Sequence, residues 1–275
     1  MKSKIWHLPR VLSGALVLLL TGVLSASASI VIVNGLAHEH TIGGSKMVQG
    51  SITIQNVGAE TARVQIYLSD LEHSCNGETS FDSTHNRKRC LVNWLELSDN
   101  ELILTPGEST NLTYGLNPPD SIEKAGSYWG VIMIGEVENL DTALPKVGLK
   151  INWMVRFAIQ IIGNYRENAI KEIDFAGVRI DTSTSTNTVR VSIQNNGNYM
   201  MKPVMVLELF DQYGNQVCRK EIPYQKLYPG YCRNFDIPIG DVPVGVYSGI
   251  LVADCGEENI YGVNIELDIP QKKGL

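Results

Sequence analysis

The chain has 275 residues, 44% hydrophobic and 19% charged, with 25 Gly and 11 Pro; this composition excludes a disordered or fibrous protein and fits a turn-rich globular one. A formal net charge of −6, with Lys and Arg scattered along the chain, leaves no basic footprint for nucleic acid. At roughly 100–150 residues per domain, the length implies two domains.

Lys2, Lys4 and Arg10 precede an apolar run from Val11 to Leu24, and the small residues Ser25-Ala26-Ser27-Ala28 follow. A positive start, a short apolar run and an A-x-A site read as a signal peptide over residues 1–28, cleaved after Ala28. An uncleaved anchor is the rival, but the run is short for a spanning helix of about 20 residues. No later run reaches that length, so the mature chain is expected to be secreted or periplasmic and not membrane-spanning.

Beyond the signal, one pattern occurs twice in the same order. Gly50-Ser-Ile-Thr-Ile-Gln-Asn-Val-Gly58 leads into Ala62-Arg-Val-Gln-Ile-Tyr-Leu-Ser-Asp70, and Val189-Arg-Val-Ser-Ile-Gln-Asn-Asn-Gly197 leads into Val204-Met-Val-Leu-Glu-Leu-Phe-Asp211. Leu104-Thr-Pro-Gly107 answers Leu227-Tyr-Pro-Gly230, and Gly126-Ser-Tyr-Trp-Gly-Val-Ile-Met-Ile134 answers Gly245-Val-Tyr-Ser-Gly-Ile-Leu-Val-Ala253. Ser51–Gln55, Arg63–Ser69, Glu101–Leu104, Thr110–Leu116 and Ser127–Ile134 alternate with period two or are β-branched, so they predict strands. Asn-x-Gly and Pro-Gly turns punctuate them, and convincing amphipathic helices are missing. About seven short strands per roughly 110 residues predict an all-β chain of two tandem immunoglobulin-like sandwiches, over residues 29–163 and 164–275.

Lys150 to Ile162 predicts an unusually long strand, with Ile151, Trp153, Val155, Phe157, Ile159 and Ile161 on one face. It ends near a hinge at Gly163-Asn164. One reading is a last strand paired inside the first domain; the other is an edge partly open to a partner. The five cysteines suit an oxidising compartment. Cys75 and Cys90 flank a polar loop and are expected to pair. Cys218 and Cys232 are symmetric about a turn near Tyr224-Gln225-Lys226 and are expected to pair too, leaving Cys255 as a free thiol or an intermolecular link.

Asn-x-Gly before an alternating strand, Trp94-Leu-Glu-Leu97, Leu104-Thr-Pro-Gly107 and Gly126-Ser-Tyr-Trp-Gly130 together resemble secreted bacterial proteins of the PapD-like periplasmic chaperone superfamily, most closely over residues 34–162. The resemblance implies two immunoglobulin-like domains. It also implies a long last strand of the first domain that complements an incomplete pilus subunit by strand addition, with basic residues in the interdomain cleft holding the subunit's C-terminal carboxylate. Carried onto this chain, Lys150–Ile162 is the matching strand. Trp153, Arg156, Phe157 and Ile159 are its candidate partner-binding residues, with Arg156 the carboxylate anchor. The implied partner is another secreted or surface protein, a pilus-like subunit or an envelope protein.

Catalytic patterns are missing. The mature chain has only His38, His40, His73 and His85, all in its first half, and neither a nucleophile elbow nor a phosphate-cradling loop occurs. No enzyme activity, cofactor or metal is therefore expected. His38-Glu39-His40 puts two imidazoles on one face of an extended segment, but no spacing fixes a ligand set with His73 or His85. Trp94, Trp129 and Trp153 are expected to fill the core or the domain junction; an exposed aromatic row would instead favour a cell-envelope module binding glycan or peptidoglycan.

Overall fold

The computed structural model describes residues 29–43, 46–84, 87–122, 124–137, 155–182 and 186–270; the signal segment and its cleavage site lie outside them. The first half contributes strands β1 (Ile30–Ile32), β2 (Ala37–Ile42), β3 (Val48–Asn56), β4 (Ala62–His73), β5 (Thr79–Asp82), β6 (Leu95–Leu97), β7 (Glu101–Leu104), β8 (Ser109–Leu116), β9 (Gly126–Glu136) and β10 (Arg156–Tyr165). The second half contributes β11 (Ile173–Asp181), β12 (Asn187–Asn195), β13 (Val204–Phe210), β14 (Gln216–Ile222), β15 (Cys232–Gly240), β16 (Gly245–Asp254) and β17 (Ile260–Ile269). One 3-10 turn, Val92–Trp94, is the only helix among the described residues. No described helix is long and apolar enough to cross a membrane.

The first sandwich faces a sheet ordered β1-β3-β8-β6 with one ordered β2-β10-β9-β4-β5, and β7 pairs with β4. The second faces β11-β12-β15 with β14-β13-β16-β17. Period-two alternation supplies each core. Ile52 and Ile54, Ala62, Val64 and Ile66, and Leu112, Tyr114 and Leu116 turn inward in the first half. Val189, Val191 and Ile193, with Met205, Leu207 and Leu209, do so in the second. The all-β, immunoglobulin-like architecture expected from the turns and strand lengths is the one observed.

The repeated Asn-x-Gly has a shared structural cause. Asn56 is fully buried; its amide donates to the carbonyls of Glu60 and Leu104, and its Oδ1 accepts from the Gly58 N–H. Asn195, equally buried, donates to Tyr199 and Leu227 and accepts from Gly197. The main-chain carbonyls of Asn56 and Asn195 accept from Gly107 and Gly230, the left-handed glycines (both φ 79°) of the two Pro-Gly turns. In each copy one side chain satisfies three polar groups from two segments inside an apolar core, where leaving a single one unpaired costs about 1–3 kcal/mol.

β9 reads as an unbroken apolar run because both of its faces are covered. Tyr128, Ile132 and Ile134 enter the first core. Trp129, Val131 and Met133 pack instead with Leu71, Ile162, Met200 and Tyr228 in a third cluster shared by the two halves. Ser127 pins the same junction: its N–H donates to Asn198 O, its hydroxyl donates to Asn164 Oδ1, and that hydroxyl accepts from the Met200 N–H.

The cysteine expectations are corrected. The one disulfide joins Cys75 to Cys232 across the halves, and Cys90, Cys218 and Cys255 are free thiols. Cys75 sits in the tip that links β4 to β5 and reaches the start of β15, where Asn234 donates its backbone N–H to Cys75 O and its side-chain amide to Asn76 Oδ1. Cys90 is drawn away to a bridge with Trp129. Cys218 cannot meet Cys232 across a hairpin, because β14 pairs with β13 while β15 pairs with β12, in opposite sheets. Cys218 lies opposite Leu209 and is buried in the second core.

Candidate functional site

β10 is the strand on which partner binding was expected, and its neighbours set what it can offer. One edge pairs antiparallel with β9 from Arg156↔Gly135 to Tyr165↔Gly126. The other edge pairs parallel with β2 only from Gln160↔Ala37 to Tyr165↔Ile42. The strand therefore continues through the expected hinge at Gly163-Asn164, held by β2 and by the Asn164–Ser127 contact. Residues 150–154, including Trp153, lie outside the described residues.

The Gln160 N–H donates to Leu36 O, on the β2 side. Hydrogen-bond direction alternates along a strand, so Ala158 and Arg156 aim their N–H and C=O groups at the same side. Among the described residues no strand pairs there. This open half is also poorly guarded. Edge strands are commonly protected by charge, as β14 is by Arg219, Lys220 and Glu221, whereas here Phe157, Ala158 and Ile159 follow a single Arg156. Val155 and Leu36 beside it are 40% and 50% exposed. Ile159 is fully buried and Phe157 packs on the same core, so they fix the strand rather than present it.

Arg156 is exposed and its chain crosses Gly135, at the first residue of β10. Ala158 and Gln160, two and four residues further along the same face of the strand, already touch the second half. Arg156 itself does not line the interdomain cleft. A cleft of about 450 Å³ is lined by other cations, Arg166, Lys171 and Lys202, together with Glu39, Glu257 and the free thiol of Cys255. Lys202 pairs with Glu39 at 2.7 Å and Lys171 with Glu257 at 2.5 Å. Sequence reasoning passed over these lysines because no spacing marks them; they converge only once the halves dock.

At the junction His73 stacks on Tyr228, with ring centroids 5.0 Å apart. Burial, then the positive charges of Arg233 and Lys226, hold its imidazole down at about 4. Lys226 and Tyr228 both donate to Gln160 Oε1, at 2.8 and 2.9 Å. Arg87 donates to Glu72 at 2.8 Å, lies beside the buried Asp70 carboxylate, and contacts the Tyr231 hydroxyl. Trp129 is 3% exposed and donates to Leu71 O, while Trp94 is half-buried against Tyr128. Of the histidines weighed as a ligand set, His38 and His40 meet at Tyr114, His73 is remote at the junction, and His85 lies outside the described residues.

No protein-family model and no curated protein matches the chain. Among solved structures it is similar to the class 5 fimbriae chaperone CfaA, with 13% identity, 88% of this chain and 100% of that one covered, and a TM-score of 0.46. It is similar to a chain of a chaperone–tip adhesin complex of CFA/I fimbriae biogenesis, with 13% identity, coverage of 89% and 100%, and a TM-score of 0.47. A third is the CsuC–CsuE pre-assembly complex of Csu pili from Acinetobacter baumannii, with 11% identity, coverage of 86% and 98%, and a TM-score of 0.45.

Proposed function

We propose that the chain is a non-enzymatic secreted or periplasmic protein that binds another secreted or surface protein by strand addition, as an assembly chaperone does for a pilus-type subunit. The observation that carries this reading is the open half-edge of β10, where Arg156 and Ala158 present main-chain donors and acceptors beside exposed Val155 and Leu36. A partner strand entering there would continue the sheet in line with β2, and each main-chain bond would contribute about 0.5–1.5 kcal/mol. Exposed Arg156 can add a bidentate hold on a partner carboxylate at the open end of the strand.

The test is Ala158→Pro. Proline removes an N–H that faces the open edge and spares every bond to β9. The tagged mature protein and the variant are each used for capture from the native envelope fraction, with mass spectrometry of what is retained. The wild type is expected to retain one dominant small β-rich secreted protein in near-equal amount. Ala158→Pro, with an unfolding midpoint close to wild type, is expected to lose at least about tenfold of it, equivalent to about 1.4 kcal/mol. Equal retention by the variant overturns strand addition. Retention of wall fragments alone replaces it with a glycan-binding role.

A further inference from the structure

β2 is the edge strand of its sheet and pairs with β10 alone. The side chains it turns toward the core are His38, His40 and Ile42, of which only Ile42 is buried outright. Two imidazoles thus take positions that strand alternation reserves for apolar side chains. They converge on one atom: His38 Nδ1 lies 3.0 Å and His40 Nε2 2.8 Å from the hydroxyl of the buried Tyr114.

The hydrogen bonds of this cluster close in only one way. His38 Nε2 is buried without a partner, so the His38 proton sits on Nδ1 and donates to the Tyr114 oxygen. The Tyr114 hydroxyl in turn donates to His40 Nε2. A proton on that nitrogen ends the arrangement, because Nε2 becomes a donor. The Tyr114 hydrogen then has no acceptor, or it turns to His38 Nδ1 and drives the His38 proton onto the buried Nε2. Either way a buried donor is left unpaired. Once β2 has left the sheet, both rings reach water and the conflict is gone.

We propose that protonation of His40 releases β2 from β10, so that mild acid lengthens the edge on which a partner strand docks. This rests on the strand-addition reading and gives it a control. The half-edge beside β2 presents only Arg156 and Ala158, short against a typical strand of about five or six residues. With β2 away, the edge runs on through Gln160, Ile162 and Asn164. Among the described residues no carboxylate pairs with either ring. From β8 comes Tyr114, whose phenol burial pushes up to about 12, so it stays neutral. β3 brings Gly50 against that phenol, and β10 sets Ile161 and Gly163 opposite His38 and His40. Glu39 lies on the other face of β2 and pairs with Lys202. Burial and then the neighbouring His38 hold His40 below its ordinary value of 6.5. A released His40 therefore takes up a proton at higher pH than a docked one, and docking is lost progressively as pH falls below about 6.5. At pH 5 one histidine can shift this equilibrium by at most about thirtyfold.

The test is amide hydrogen exchange of the mature protein alone at pH 7.5 and pH 5, read residue by residue and corrected for the intrinsic rate at each pH. Gln160, Ile162 and Asn164 point their N–H groups toward β2, whereas Ile159, Ile161 and Gly163 point theirs toward β9. At pH 5 the first set is expected to lose at least about fivefold of its protection while the second set holds. His40→Gln still offers the Tyr114 hydroxyl an acceptor but takes up no proton, so its corrected profiles at the two pH values should coincide. Unchanged protection of the first set in the wild type, equal loss in both sets, or the full step in His40→Gln overturns the proposal. No partner is present, so the outcome is separate from that of strand addition, which Ala158→Pro tests.

Discussion

His73 shows how one residue registers the docking of the two halves. Its ring is stacked between strands that belong to different sandwiches, beside Tyr228 and Tyr231 and near Arg233 and Lys226. A value near 4 in the folded protein, against 6.5 when unfolded, means that the folded state keeps the ring neutral. The unfolded chain takes up the proton first as pH falls, so it binds more protons than the folded chain between those values. Stability from this group is complete above about pH 6.5 and is lost progressively toward pH 4. The thermal midpoint of the wild type should therefore drop more between pH 7.5 and 5 than that of His73→Gln. Parallel profiles for the two proteins would show that His73 does not sense the junction.

At the scale of elements, the strands were legible in the sequence and the docking was not. Ile52, Ile54 and their counterparts Val191 and Ile193 sit on alternating strands whose turns carry Gly107 and Gly230, so local chemistry alone locates them. The junction leaves a fainter mark, visible only when the two copies are compared. Where the first copy has Trp129, nearly fully buried, the second has exposed Ser248; where the second has buried Tyr228, the first has exposed Thr105. Each aromatic is surplus to its own core and fills the other's gap, with ring centroids 4.7 Å apart. The disulfide escaped for a related reason, since loop symmetry ranks partners by sequence distance and Cys75 finds Cys232 only through tertiary docking. The open edge of β10 was half legible: its length and apolar face were in the sequence, but β2, which closes the other half, comes from residues 37–42. Gly126 marks where the elements meet most closely. Its φ is 111°, and a Cβ would fall 1.8 Å from Asn198 O. Gly126→Ala is expected to push the halves apart while leaving both cores folded, read as a larger radius of gyration by solution scattering. An unchanged radius with an unchanged midpoint would mean that the junction yields locally instead.

For the whole molecule, the question is whether the two sandwiches behave as one cooperative unit. They are joined, besides the chain itself, by the apolar cluster around Trp129, by polar contacts such as those of Ser127, Gln160 and the Lys202–Glu39 pair, and by the Cys75–Cys232 bond. The bond spans 157 residues of sequence with its Cα atoms 4.7 Å apart, so in the chain-entropy account it restricts the unfolded ensemble strongly, by roughly 2–5 kcal/mol. The remaining thiols do not threaten it. Burial pushes Cys90 up to about 11 and Cys255 up to about 12, and raises Cys218 as well. At neutral pH almost none of these is thiolate, the form that attacks a disulfide, so exchange is slow in the folded state. Replacing Cys75 and Cys232 by Ser should lower the unfolding midpoint and split one calorimetric transition into two, because each sandwich has its own core and the junction alone holds them together. The junction should loosen at the same time, seen as faster hydrogen exchange at Trp129 and Met200 with little change at Ile54 or Val191. A single transition at the wild-type midpoint would show that the non-covalent junction suffices to couple the halves.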